Sequence, residues 1–188
     1  IGGASLREGR LGLMFNGLLK IPMQFFILLL GAFVFVFYQF DKPPVFFNQV
    51  TWERHAVGTN APVFRALEQR HAVAHQEAKA DVVTWLNARS AGNAEAEADA
   101  RAAMVAAQGR VDGIRTEAKA ALVAADPKAK TKDSDYVFIT FILAQLPHGA
   151  IGLLIAVMIA AALSSTASEL NALATTTTMD LWRQVRPL

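Results

Sequence analysis

Cysteine is absent from this chain. Disulfides, thiol catalysis and cysteine-ligated metal are therefore excluded. Histidine is scarce, with four residues, three of them (His55, His71 and His75) in the polar middle of the chain. Nothing in their spacing forms a zinc constellation. No grouping of nucleophile, base and orienting residue stands out, so an enzyme reading has no support. A nucleic-acid surface is equally unsupported, because it needs Lys and Arg gathered on one face. Residues 51–136 hold 12 Lys+Arg against 12 Asp+Glu. The basic balance comes instead from the few charges that flank apolar runs. There is no Met at position 1, and the residues before the first apolar run do not form a signal peptide.

What is present is apolar surface, concentrated in two places. Residues 21–40, IPMQFFILLLGAFVFVFYQF, carry no charge across 20 positions, enough for one membrane-spanning helix. Tyr38 falls where an interfacial aromatic is expected, and Asp41-Lys42-Pro43-Pro44 ends the helix. The second run, Gly149 to Trp182, starts as a span and then turns small and hydroxylated while keeping a helical register. Ala161, Ser164, Ser165 and Ser168 fall at i, i+3, i+4 and i+7, one face of a helix. Such a face has two uses inside a membrane. It lets a neighbouring helix approach closely, or it offers oxygen to a small hard cation. Spacing alone favours packing, the commoner use.

The residues themselves shift that balance. LSSTASELNALATTTTMDLW resembles the eighth core helix of sodium:solute symporters, with its small residues, paired serines and terminal M-D-L-W. SLREGRLGLMFNGLLKIPMQFFILLLGAFVFVFYQF resembles the core helix just before it. The likeness covers residues 5–48 and 136–184, in the family's order. It implies an all-α membrane protein, part of a LeuT-like inverted-repeat transporter core. It also implies that the carbonyl of Ala161 and the hydroxyls of Ser164 and Ser165 bind Na+, the coupling ion, with no organic cofactor. Two spans cannot build such a transporter, whose site draws on two internal repeats. The chain is therefore expected to be a fragment.

Lys20 has two readings. If the span begins at Ile21, Lys20 snorkels to the interface. If the helix begins near Leu11, Lys20 lies about 14 Å deep, which demands a wet cavity or an acidic partner. Asn16 and Gln24, four residues to either side, would share its face, and Pro22 would kink the helix. In the family, the lysine of the matching L-K-x-x-P segment faces the substrate cavity of sugar-carrying members. That resemblance makes Lys20 and Gln24 substrate-contact candidates. Glu169 lies one turn beyond Ser165 in an apolar stretch. It either lines the ion's exit path or forms a structural ion pair elsewhere in the protein.

Between the spans lies a soluble section. Phe64, Leu67, His71, Ala74, Ala78, Val82 and Trp85 recur at spacings of three and four. So do Ala96, Ala100, Ala103, Ala107, Val111, Ile114, Ala118, Ala121 and Ala125. Asn60 and Asn93 are placed to cap the two helices. The pattern predicts an antiparallel helical hairpin with a narrow alanine seam. His71 on that seam reads as a packed or rim histidine rather than a ligand. The expected layout is a cytoplasmic segment at 1–10, a transmembrane helix at 11–40 and an external loop at 41–60. The hairpin follows at 61–125 (61–90 and 94–125), then a linker and short interfacial helix at 126–148. A second transmembrane helix at 149–181 and a cytoplasmic end at 182–188 complete it. Arg7, Arg10, Arg183 and Arg186 place both ends in the cytoplasm and residues 41–148 outside.

Two functions remain in play. One is sodium-coupled symport of a small organic solute, such as a sugar or organic acid, across the cell membrane. Its partners would be lipid and the transporter's remaining helices, with no nucleic acid. The other is a two-span sensor or scaffold whose external hairpin binds a partner. The transported solute is not legible, because the residues facing it lie mostly outside this chain.

Overall fold

The computed structural model describes residues 6–178, and every regular element among them is helical. Asp180, Trp182, Arg183 and Arg186, to which the sequence assigned the second cytoplasmic end, lie outside the described residues. Six α-helices follow one another: α1 Leu6–Phe40, α2 Gln49–His55, α3 Ala61–Ser90, α4 Ala94–Ala125, α5 Val137–Gln145 and α6 His148–Thr176. The chain divides into two compact units, residues 1–140 and 141–188.

Among the described residues, helices α1 and α6 are the two long enough and apolar enough to cross a membrane. Neither is packed as a core helix among the described residues. Ile21 is 74% exposed and Met158 68%, and a continuous apolar surface of that size is not tolerated in water. Helix α1 starts well before Ile21 and stays helical through Pro22. Lys20 is therefore an interior residue of a 35-residue helix and not its first residue. Because Pro22 has no N–H, the carbonyl of Leu18 four residues back loses its helical donor.

In the first unit, α3 and α4 lie against each other in antiparallel register. The exposed pairs Arg70–Glu117 (2.6 Å) and Glu77–Arg110 (3.4 Å) mark that register, advancing along one helix while retreating along the other. The turn between them needs Gly92 at φ +69°, a conformation that side chains with a Cβ rarely adopt. Asn93 caps α4, its Oδ1 accepting from the Ala96 N–H at 3.1 Å. Asn60 makes no side-chain cap bond to α3. Its backbone is already helical there, so its side chain is not aimed at the free N–H groups, and Pro62 fills the first turn.

The seam is built from Ala74, Ala78, Ala107, Ala118, Phe64, Leu67, Val111, Ile114 and Leu122. One expected member, Ala103, is exposed, and Met104 is half-buried in its place. The step after Ala100 is four residues, so that Ala107 and Val111 keep facing α3. A step of three turns Ala103 about 100° away from its successor, Met104. The segment expected as an unbroken loop at 41–60 contains α2, whose first turn Asn48 caps through the Thr51 N–H (3.1 Å). Trp52 of α2 is 2% exposed and packs on Phe64, with ring centroids 4.5 Å apart. Each buried aromatic here contributes about 1.5–3 kcal/mol.

Candidate functional site

On α6, Ala161, Ser164 and Ser165 share one unbroken helical turn. Every hydroxyl in this stretch could satisfy itself by donating to the carbonyl four residues back. Thr166 does so to Ala162 (3.0 Å), Ser168 to Ser164 (2.9 Å) and Thr175 to Asn171 (2.8 Å). The hydroxyls of Ser164 and Ser165 make no hydrogen bond among the described residues. Two oxygens are thus left available on the helix face that Ala161 begins. Glu169, one turn beyond Ser165, is exposed and has no ion-pair partner among the described residues. On α1, Asn16, Lys20 and Gln24 occupy successive turns of one exposed polar stripe on an otherwise apolar helix. Helices α1 and α6 fall in different units, and each stripe is described on its own helix.

The densest polar chemistry lies at the Phe40 end of α1, and sequence reading missed its centre. Asp133 is 3% exposed. Its Oδ2 accepts from the Phe47 backbone N–H (3.0 Å) and from Arg115 Nη2 (2.7 Å), and its Oδ1 faces Lys119 Nζ at 3.1 Å. Burial pushes the carboxyl up, but the Phe47 N–H, Arg115 and Lys119 together outweigh it and hold the group below the usual carboxylate range. Thr140 donates its hydroxyl to the Phe47 carbonyl (3.1 Å), so both backbone groups of Phe47 are clamped. Arg115 also lies over the Phe47 ring, 5.0 Å from its centroid. In the sequence Asp133 is one acid in a polar linker, KAKTKDSDY. The one available signal was the aromatic pair Phe46-Phe47, a segment that must be anchored to stay buried.

Helix α1 is tied to α3 at the same end. Lys79 Nζ donates to the Phe40 carbonyl (2.8 Å), and His75 Nε2 to the Asp41 carbonyl (2.9 Å). These are last-turn acceptors that would otherwise lack donors, and a cation there complements the helix dipole. His71, one turn before His75, is 1% exposed. Burial pushes its pKa down to about 4, helped by Arg115, His75 and Lys42. Its imidazole is therefore neutral near pH 7, and Nε2 has no hydrogen-bond partner.

Comparison with known proteins bears on the second half of the chain. Residues 103–188 match the Sodium:solute symporter family, a stretch that takes in much of α4 together with α5 and α6. Sodium/myo-inositol cotransporter 2 of Oryctolagus cuniculus is 48% identical over 54 residues, 29% of this chain and 8% of that relative. The proteins of the same name from Mus musculus and Homo sapiens are each 46% identical over 54 residues. The chain thus matches only a small part of the length of these relatives. No solved structure matches it. All of these relatives are transporters, not enzymes, and the two exposed apolar helices fit a membrane-embedded protein.

Proposed function

Residues 103–188 match the sodium:solute symporter family, and from that likeness we propose that this chain is a piece of a transporter coupling sodium to symport of a small organic solute. The observation that carries the proposal is the pair of unengaged hydroxyls on α6. On this turn of the helix Thr166 and Ser168 fold their hydroxyls back on the backbone, while Ser164 and Ser165 leave theirs available.

Sodium sheds its water only where several oxygens replace it. Ser164 and Ser165 supply two, and the Ala161 carbonyl supplies a third by leaning out of its helical bond. Three are too few. The remainder comes from a helix outside this chain; the likeness to the family points to the first core helix at its unwound middle. Sodium then bridges two groups of helices and favours the outward-open arrangement. Ion and solute are coupled because both prefer that state. Glu169, one turn toward the cytoplasm, draws the ion along its exit path.

Lys20 and Gln24 contact the solute from α1. The length of α1 beyond Lys20 on its N-terminal side supports this reading. A charged residue inside a membrane helix is costly unless it faces a polar cavity. The likeness to the family supports a LeuT-like core for the rest of the transporter. In this arrangement the ends of the chain lie in the cytoplasm. The α3/α4 hairpin is an insertion that stands outside. The solute is a polyol, sugar or organic acid; the cotransporter relatives carry myo-inositol in their name, which puts polyols first. The sensor alternative loses ground, because the matches are to cotransporters.

Uptake into vesicles holding the intact protein tests the proposal. Ser165→Ala is expected to abolish sodium-stimulated uptake while membrane insertion is retained. Unchanged sodium dependence in that variant would overturn the sodium assignment.

A further inference from the structure

The sequence leaves the Phe40 end of α1 without a cap of its own. A helical carbonyl accepts from the N–H four residues on. For Gln39 and Phe40 those residues are Pro43 and Pro44, which have no N–H. No basic residue lies in the last turn of α1. Nor does a left-handed glycine follow it: among the described residues only Gly58 and Gly92 have positive φ. The missing donors come from the hairpin. Lys79 Nζ reaches the Phe40 carbonyl at 2.8 Å, and His75 Nε2 reaches the Asp41 carbonyl at 2.9 Å.

His75 and Lys79 lie one turn apart on a single face of α3. Ala74 and Ala78, one position before each, are buried in the seam against α4, so the seam fixes where the two donors stand. A second attachment runs through the Tyr38 ring, which meets the Phe47 ring edge-on with centroids 5.3 Å apart. Phe47 is itself held by Asp133, Thr140 and Arg115. Helix α3 thus grips α1 directly, and α4 grips it through Phe47. Two grips from different elements fix the rotation of the helix end as well as its position. Pro22, the one proline inside α1, lies about 27 Å from Phe40 at helical rise. The helix bends most readily there, beyond the gripped segment.

We propose that the α3/α4 hairpin is a clamp on α1, with Lys79 and His75 as positioning residues that make the hairpin and the helix from Pro22 to Phe40 move as one body during transport. The clamp stands on the geometry of the first unit, and its part in transport rests on the transporter reading. An insertion that was only tolerated would leave α1 to cap itself.

Hydrogen exchange and paired spin labels on the intact protein test the clamp. The Asp41 N–H closes the last turn of α1 on the Phe37 carbonyl at 2.9 Å. Lys79→Met keeps the stem and removes the ammonium at a half-buried position. In that variant the Asp41 amide should exchange roughly 10-fold faster, with the Val111 amide in the seam unchanged. Lys79→Arg, which keeps a charged donor, should restore protection. Nitroxides at the exposed positions Val36→Cys and Ala91→Cys, with any cysteine elsewhere in the intact protein replaced by serine, should give one distance distribution. It should be the same in sodium and in choline, and Lys79→Met should broaden it. Because α1 carries the proposed solute contacts and α6 the sodium hydroxyls, uptake should split. Lys79→Met should raise the myo-inositol concentration for half-maximal sodium-driven uptake about 5-fold, with sodium-22 affinity unchanged and Lys79→Arg close to wild type. Unchanged Asp41 exchange in Lys79→Met would overturn the clamp, as would a label distance that differs between sodium and choline at wild-type Lys79. Unaltered uptake in Lys79→Met would overturn the positioning role. Absence of sodium-driven uptake in the wild type would instead fail the transporter reading, since neither the exchange nor the label measurement needs transport.

Discussion

Replacing Asp133 by Asn isolates the anchor that holds the Phe46-Phe47 segment under the hairpin. The side chain is 4% exposed and faces two cations, Arg115 at 2.7 Å and Lys119 at 3.1 Å, plus the Phe47 N–H at 3.0 Å. Removing one member of a fully buried pair costs about 3–5 kcal/mol. Here the cations are 23% and 36% exposed, so water recovers part of their solvation, and an amide oxygen can still accept from Phe47. The expected loss is about 2–3 kcal/mol. In hydrogen exchange on the intact protein, the Phe47 amide should exchange about 30- to 150-fold faster. The α3/α4 seam, whose core does not include Asp133, should keep its protection. The pH dependence has a defined sign. The folded-state carboxyl titrates below its unfolded value. Its contribution is therefore complete above the ordinary carboxylate pKa of about 4 and is lost as pH falls through the lower folded value. Exchange at Phe47 in Asp133→Asn within twofold of wild type at pH 7 would refute the anchor.

Three further outcomes follow from the same geometry. His71 is pushed down to about 4 from an unfolded value of about 6.5, so the unfolded chain takes up its proton first. Stability of the hairpin should be complete above pH 6.5 and fall by about 3 kcal/mol between 6.5 and 4; thermal unfolding against pH checks this, and His71→Phe should flatten the slope. Ala107 is 0% exposed at the seam, so Ala107→Leu should overpack it by about 1–3 kcal/mol, read as a lower melting temperature, while Ala103→Leu on the exposed face should change little. Lys20→Met should raise the solute concentration for half-maximal uptake at least 10-fold with sodium affinity unchanged, if Lys20 contacts solute; a snorkelling lysine would leave it unmoved.

The periodicities made the helical elements legible, because burial of a stripe demands spacings of three and four. The alanine seam could be read residue by residue until Ala100. There the spacing was read as three, to Ala103, where the observed step is four, to Met104. Lys20 is different: its sequence neighbours allowed either depth, and the helix that runs from Leu6 to Phe40 is longer than one bilayer crossing needs, so the depth of Lys20 rests on the uptake measurement above. The Asp133 anchor was not legible at all. Its partners, Phe47 and Arg115, are 86 and 18 residues away, and no local pattern brings them together. On α6 the likeness to the family singled out Ser164 and Ser165 among the hydroxylated positions, and spacing alone did not. Their hydrogen bonds separate Ser164 and Ser165 from Thr166, Ser168 and Thr175, a distinction set by side-chain rotamers that composition does not carry.

Sodium binding itself is the most direct test. Sodium-22 binding to the intact protein should be lost in Ser164→Ala and in Ser165→Ala. It should persist near wild-type affinity in Thr166→Ala and Ser168→Ala, whose hydroxyls are already bonded to the helix. Equal binding by all four variants, or loss in the second pair and not in the first, would contradict the account.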